Sequence, residues 1–325
     1  MHTRILPLLI LTFFTTAALA DSPPLTKLSV DEMRTSIDKD PAAAIPKIGT
    51  WVNSLRAAKL YAEAADIAER GIKLKPGGNA FVVPLQSAQI HSLLDAGKLD
   101  DALAAISKYG FDASGRAGEF IAMLMAAKHP REAADLAQKI VLLTPQDLAT
   151  VEGYQKLRIR ALLEAGQAKE ALANAKGLYN VSSMLGTTDA ILSLTECLAA
   201  AYPEDKTMLG RFKAQQQAGA TTQPSSQPTD AGASVMASIE VDPKPYEEAL
   251  QKRRGEDFNT LLARGNLLLL ADKAREARPL FERAYALSAD NQLPQASEAI
   301  ARLMKAEDGT IGRANAWVLS IRPKR

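Results

Sequence analysis

Few side chains in this sequence have the types and spacing that catalysis or metal binding needs. Beyond residue 20 the chain holds two histidines, His91 and His129, and a single cysteine, Cys197. Neither a C-x-x-C nor an H-E-x-x-H stretch occurs, so histidine and cysteine metal sites lack their usual ligand sets. Cys197 follows Leu194-Thr195-Glu196 on an apolar helix, which favours a buried, inert thiol over intermolecular pairing. We expect neither a metal nor a cofactor.

Two further stretches resemble catalytic motifs only in part. Residues 110–117, GFDASGRA, have the glycine spacing of a phosphate loop, but Arg116 replaces the lysine and Ala117 replaces the Mg²⁺-binding hydroxyl. Asp100 and Asp101 are adjacent, and neighbouring helical positions point about 100° apart, so their carboxylates do not converge on one bond. No G-x-S-x-G nucleophile elbow is present. The sequence predicts a protein that is not an enzyme.

Composition narrows the remaining classes of protein. The 325 residues are 47% hydrophobic and 23% charged, with a net charge of +2 and one cysteine. Such a chain buries a core and is not wholly disordered. It has neither the basic surplus of a nucleic-acid binder nor the cysteines of a disulfide scaffold.

The first twenty residues have the pattern of a secretory signal peptide. Arg4 precedes an apolar run over residues 5–14, and Ala18-Leu19-Ala20 forms an A-x-A cleavage site before Asp21. An uncleaved anchor is the alternative, although the run is short for a membrane span. We expect cleavage after Ala20 and a periplasmic or secreted protein, which is not an integral membrane protein after cleavage.

Small and polar residues with two prolines divide the rest of the chain. Residues 218–238 read AGATTQPSSQPTDAGASVMAS, which cannot bury enough apolar surface to offset its ordering entropy. We expect a helical block over 21–217, a disordered linker over 218–243, and a second helical block over 244–325. Alanine, leucine, glutamate, lysine and glutamine dominate both blocks, which predicts an all-α fold.

The clearest helical hairpin lies at 258–289. Apolar residues from Phe258 through Leu262 to Leu269 follow the i, i+3, i+4, i+7 stripe of one helix, and a second stripe begins at Ala274. Small residues at Gly265 and Ala277 allow the two helices to approach closely. The sequence therefore predicts an antiparallel pair.

The same design recurs along the chain. Alanines 64, 102, 133 and 171 begin similar second helices at intervals of 38, 31 and 38 residues. These intervals bracket the 34-residue period of a known helical repeat. Five units of this kind predict a helical solenoid.

These hairpins resemble tetratricopeptide repeats (TPR), in which a small residue and a later aromatic residue mark the second helix and a proline closes it. The segment 258–289 matches best, with Gly265, Ala277, Phe281 and Ala284 at the expected offsets. The unit with Tyr61, Ala64, Gly71 and Pro76 also matches, whereas Trp51 lies three residues late for the family's tryptophan. The resemblance implies a TPR-like α-solenoid with an extended concave face built from the first helices.

By that resemblance, two positions of each repeat face the concave groove and bind a protein or peptide. They are Asn53, His91, Lys156, Arg160, Leu262 and Asn266. Lys156 and Arg160 share one helix face, where they could bind a carboxylate or, with Glu164, form only a solvated ion-pair ladder.

Three functions of different classes fit these features. We expect a protein-binding scaffold of a bacterial cell envelope, because repeat solenoids present extended surfaces for peptides and helices. The first alternative is a receptor for a small molecule or glycan, which the few groove aromatics disfavour. The second alternative is an enzyme or a non-catalytic subunit of an envelope enzyme complex.

Overall fold

A computed structural model describes residues 27–74, 78–109, 116–183, 186–220 and 235–308, together with Ala314 and Trp317. Throughout those ranges the backbone is helical apart from turns and short connections, and it contains no strand. The predicted all-α class is therefore confirmed. The expected leader at 1–20, Pro76 and residues 110–115 of the GFDASGRA stretch lie outside the described residues.

The chain divides into two compact units, residues 1–105 and residues 106–325. The helices of the first unit are α1 (Lys27–Lys39), α2 (Pro41–Ala57), α3 (Tyr61–Leu74) and α4 (Asn79–Asp95), and α5 (Leu99–Tyr109) begins in it. Helix α2 packs against α1 and α3, and α3 packs against α4.

Helix capping and a glycine explain where α2 begins and how closely α3 packs in the first unit. Asp40 caps α2 by accepting a hydrogen bond from Ala43 N at 3.1 Å, and Pro41 occupies the first turn, where no amide donor is needed. A side chain at Gly71 would place its Cβ 2.8 Å from both Ile48 and Leu85. Glycine at this position therefore allows α3 to lie close to α2 and α4.

The second unit contains the remaining helices. They are α6 (Arg116–Ala126), α7 (Pro130–Leu143), α8 (Leu148–Glu164), α9 (Ala168–Val181), α10 (Thr187–Ala201), α11 (Lys206–Ala220), α12 (residues 235–238), α13 (Lys244–Gln251), α14 (Phe258–Leu270), α15 (Ala274–Leu287) and α16 (Leu293–Asp308). Neighbouring helices pack as adjacent pairs. No described helix combines the length and apolarity that a membrane span requires.

Helix α9 forms the centre of the second unit. It contacts α8 and α10, which precede and follow it in sequence, and also α14 and α16. Ten of its residues, from Ala171 to Val181, are buried. Gly177 allows α9 to approach the end of α14 closely, because a Cβ there would lie 3.1 Å from Leu270 O. Helices α14 and α16 of the C-terminal block thus pack on α9 of the preceding block.

One turn geometry recurs five times among the residues that the structure describes. At Lys59, Gly97, Lys128, Gly166 and Asp272 the backbone is left-handed, with φ between 60° and 72°. In each turn the next amide donates to the carbonyl of a leucine five residues earlier, at 2.8–2.9 Å, and the left-handed residue's own amide donates three residues back. This is the Schellman pattern that ends a helix.

A shared sequence pattern underlies these turns. A buried leucine comes four residues before the left-handed position, an alanine comes directly before it, and a fully buried alanine comes five residues after it. The second alanines are Ala64, Ala102, Ala133, Ala171 and Ala277. The predicted small-residue positions of the second helices are therefore confirmed as close packing positions, and Leu-x-x-Ala-(Lys/Gly/Asp) is their common signature.

The described backbone extends into both ends of the linker expected at 218–243. Helix α11 continues through Ala220. Val235, at the start of α12, and Ile239, just after its end, are both buried. Lys176 Nζ donates to Ile239 O at 3.1 Å. Apolar residues at 235, 239 and 241 are the cause, because they return the chain to the core of the second unit.

Candidate functional site

Cys197 and His129, two residues considered above for chemistry, lie on α10 and just before α7 in the second unit. No cluster of three histidine, cysteine or acidic residues with the spacing of a metal site occurs among the described residues. Cys197 is buried, and burial together with nearby Glu196 raises its pKa to about 12. A thiol held in its protonated form is a poor nucleophile and metal ligand. His129 precedes α7 and makes no side-chain capping bond.

The six expected groove residues are distributed over three environments. Asn53 is exposed on α2 and His91 is half-buried on α4, both in the first unit. Lys156 and Arg160 lie on the outer side of α8. Leu262 and Asn266 on α14 are buried, with 1% and 2% of their surface exposed.

The expectation that Leu262 and Asn266 face a groove is corrected by this burial. Both side chains are buried in the core of the second unit, so the side that the repeat pattern assigns to a ligand is covered by the protein itself. Asn266 Nδ2 donates to Pro145 O at 2.7 Å, which connects α14 to the corner between α7 and α8. These two residues hold the fold together.

Lys156 and Arg160 each have a carboxylate partner. Lys156 Nζ lies 2.7 Å from Asp189 Oδ2 and ties α8 to α10. Arg160 Nε lies 3.3 Å from Glu164 Oε1, one turn along the same helix. Of the two alternatives for this pair, the geometry therefore favours ion pairing over a clamp for an external carboxylate.

Three helices of the second unit each expose a stripe of side chains, and we call these three stripes together the first-helix face. Helices α6, α8 and α10 are the first members of successive pairs, and α8 contacts both α6 and α10. The exposed positions of this face are Glu119 and Ala122 on α6, Leu157, Arg160 and Glu164 on α8, and Asp189, Leu192 and Glu196 on α10. Within each helix they lie three or four residues apart and so form one stripe.

Apolar groups lie at the centre of the first-helix face. Leu157 is 36% exposed and Leu192 is 62% exposed, which makes both large apolar side chains open to solvent. They flank the Lys156–Asp189 ion pair, because Leu157 follows Lys156 and Leu192 lies one turn after Asp189. Charged side chains surround this apolar centre, as in many protein interfaces.

A partly buried polar network fixes the orientation of α8 beneath this face. Arg158 donates from Nη1 to Asn174 Oδ1 at 2.6 Å and from Nη2 to Glu170 Oε1 at 3.1 Å. Arg131 on α7 donates to the other Glu170 oxygen at 2.5 Å. One carboxylate on α9 thus joins α7 and α8, and hydrogen-bonded charged pairs of this kind are directional. The exposed stripe of α8 is therefore held outward.

Cationic side chains from the C-terminal block cap the carbonyl ends of α7 and α9. Arg253 Nη2 donates to Leu142 O at 2.7 Å and to Leu143 O at 3.1 Å. Lys305 Nζ donates to Ser182 O at 2.8 Å, and Arg302 donates from Nη1 to Val181 O at 3.4 Å. Positive charge is favourable at this end of a helix, where four carbonyls lack intrahelical partners.

Burial at the end of α9 changes the acidity of two of these cations. Desolvation lowers the pKa of Lys305 to about 7 and that of Arg302 to about 10. Arg302 lowers the lysine pKa further, whereas Glu298 and Glu152 oppose the shift. The Lys305 ammonium also lies 4.8 Å from the centre of the Tyr179 ring. Sequence reasoning missed both residues, although charges at 302 and 305 interrupt the apolar stripe of α16.

Comparison with known proteins assigns no relative. The sequence matches no protein family model and resembles none of the curated proteins searched.

Proposed function

We propose that the chain is an exported, non-catalytic TPR-like α-solenoid that binds a protein partner through the first-helix face. The observation that carries this proposal is the pair of exposed leucines, Leu157 and Leu192, between charged residues on adjacent helices. An amphipathic segment can bury apolar side chains on such a surface and pair its charges around them.

The repeated turn supports the same proposal. Five Schellman turns in the described residues share the same leucine and alanine positions, which indicates a repeated supersecondary unit. Each such unit leaves one helix surface uncovered, and stacked units present those surfaces together. Repeat proteins commonly bind extended partners in this way, which is why scaffold function is favoured over catalysis.

Rigidity beneath the face also favours binding. Glu170 holds α7 and α8 to α9 through two arginines, and Lys156 holds α8 to α10. A partner that meets a preformed surface loses less conformational entropy than one that must order it.

Site-specific photocrosslinking in intact cells tests this function. A photoreactive amino acid is placed at Leu157, at Leu192 and, as a matched control, at Lys169, which is exposed on α9 away from the face. We expect positions 157 and 192 to capture the same envelope protein and position 169 to capture none of it.

Charge substitution supplies the second readout. Leu157→Glu with Leu192→Glu is expected to weaken binding of the captured protein at least tenfold while the chain stays folded, because neither side chain is buried in the core. Equal capture at position 169, or unchanged affinity in the double variant, would exclude the first-helix face as the binding surface.

A further inference from the structure

A second site lies at the corner between α13 and α14, apart from the first-helix face. A cavity of about 350 Å³ is present there. Its lining includes Arg253, Arg254, Arg264 and Glu256, with the backbone of Gly255 between them. A cavity lined by three arginines is the kind of concavity in which anionic ligands bind.

The charges around this cavity do not balance. Glu256 is its single carboxylate, and that group is shared, with Oε1 3.6 Å from Arg264 Nη1 and Oε2 3.1 Å from Arg283 Nη1 outside the lining. Among the described residues Arg253 bonds only to carbonyl oxygens, and Arg254 makes neither a hydrogen bond nor an ion pair. Among the lining residues, three guanidinium groups against one carboxylate leave a surplus of two positive charges. The neighbouring Asp257 carboxylate, beside Gly255, accepts hydrogen bonds from Thr260.

Two of the three arginines are already held in place. Arg253 donates from Nη1 to Ala249 O at 3.1 Å on α13, and its other terminal nitrogen is fixed by the end of α7. Arg264 donates from Nη1 to Gly255 O at 3.2 Å. Guanidinium groups ordered before binding lose little entropy when a ligand arrives, and their remaining N–H groups stay available.

Arg253 is bonded to carbonyl oxygens but has no carboxylate partner among the described residues. Its side chain is half-buried, and this desolvation lowers the pKa of Arg253. In the described part of the chain, no carboxylate lies against the guanidinium group to oppose the shift. An anion in the cavity would provide the missing countercharge.

We propose that this cavity binds a doubly charged oxyanion, such as a phosphate monoester or a dicarboxylate presents. Arg253 and Arg264 form the fixed sides of the site, and Arg254 closes on the ligand from solvent. Planar guanidinium groups suit oxyanions because they donate two parallel hydrogen bonds. The proposal does not depend on the protein-binding function.

Calorimetric titration of the full chain at low ionic strength tests the site. Phenyl phosphate, which carries close to two charges at neutral pH, and malonate are the two probes. Arg254→Gln removes the arginine that has no structural contact, and Lys252→Gln removes the same charge from a neighbouring exposed residue outside the lining.

We expect saturable binding of at least one probe, weakened at least about tenfold by Arg254→Gln and less than twofold by Lys252→Gln. The tighter probe then identifies phosphate or carboxylate as the natural group. Absence of saturable binding of both probes to the unmodified chain overturns the proposal. Equal weakening by the two substitutions does the same, because it indicates general attraction to positive charge.

Discussion

Lys176 on α9 places its ammonium nitrogen 2.5 Å from a carboxylate oxygen of Asp272, in the left-handed turn between α14 and α15. Asn180, one turn further along α9, donates to Asp272 Oδ1 at 3.2 Å and to Leu269 O at 3.1 Å. The same turn in other hairpins carries lysine or glycine at this position. Aspartate at this position of the common turn therefore joins α9 to the α14–α15 hairpin.

Replacing Asp272 with asparagine isolates the charge of this contact. Asparagine also tolerates the left-handed backbone and still accepts from Asn180, but it leaves Lys176 charged and 6% exposed without a carboxylate. We expect Asp272→Asn to lower the free energy of unfolding by about 2 kcal/mol, less than for a fully buried pair because Asp272 is partly exposed. Urea denaturation measures the difference. Asp290→Asn, in an exposed turn, is the control and is expected to change stability by less than about 0.5 kcal/mol.

Replacing the lysines in left-handed turns is expected to increase stability rather than lower it. Lys59 and Lys128 occupy backbone conformations that glycine adopts without strain, and both side chains are exposed. Lys59→Gly and Lys128→Gly are each expected to raise the free energy of unfolding by about 0.5–1 kcal/mol, because relief of strain outweighs the greater flexibility of glycine when unfolded. Alanine at the same positions keeps the strain and is expected to give no gain. A loss of stability in both glycine variants would contradict the turn geometry.

Close helix packing at Gly265 predicts a steric penalty. An added Cβ there would lie 2.6 Å from Phe281 Cζ, so α14 and α15 would have to move apart. We expect Gly265→Ala to lower stability by about 1–3 kcal/mol. Gly153→Ala on α8, where no atom lies within 4 Å of the added Cβ, is the matched control. It is expected to stabilise by about 0.5–1 kcal/mol through helix propensity, and a comparable loss in both variants would argue against the packing.

The buried lysine of α16 predicts a stability that rises with pH. Burial lowers the pKa of Lys305 from 10.5 to about 7, so between these values the unfolded chain holds a proton there that the folded chain has released. The free energy of unfolding therefore increases with pH across that interval, by about 2 kcal/mol from pH 7 to about pH 9. Urea denaturation at the two pH values measures this gain.

Lys305→Met tests whether this side chain is the source. The methionine variant cannot titrate, and we expect it to lose the gain, whereas Lys169→Met on the exposed side of α9 should keep it. An equal gain in the Lys305→Met variant would assign the pH dependence to other groups. The comparison between variants is needed because the pKa of Arg302 is also lowered, to about 10, so this residue makes the free energy of unfolding depend on pH at higher pH.

The polar contacts between the helices on either side of residues 221–234 predict that the two fragments stay associated after the chain is cleaved within that segment. Arg253, Asn266, Lys305 and the Lys176–Asp272 pair all join helices on opposite sides of that segment. A protease site inserted after Gln223 in the full chain is expected to yield two fragments that elute together at the position of the intact protein. Elution as two separate species would show that the contacts do not hold the blocks together.

Several features of this protein follow from its sequence alone. Alanine-rich stripes at helical spacing determine the all-α class, and the alanines at 64, 102, 133, 171 and 277 mark where second helices pack. These predictions succeed because helix periodicity and turn geometry depend on residues that are close in the chain. The glycine at 265 belongs to the same group, since its neighbour Phe281 lies within one hairpin.

Tertiary structure alone decides the rest. Leu262 and Asn266 occupy positions that a repeat pattern assigns to an open groove, but both are buried, and Asn266 is bonded to the α7–α8 corner. Arg253, Arg302 and Lys305 read as ordinary surface cations, yet each caps a helix end that lies more than a hundred residues earlier. Hydrophobic spacing reports which side of a helix is buried but not which distant helix buries it. That pairing depends on long-range packing and on carbonyl groups that are not visible in the sequence.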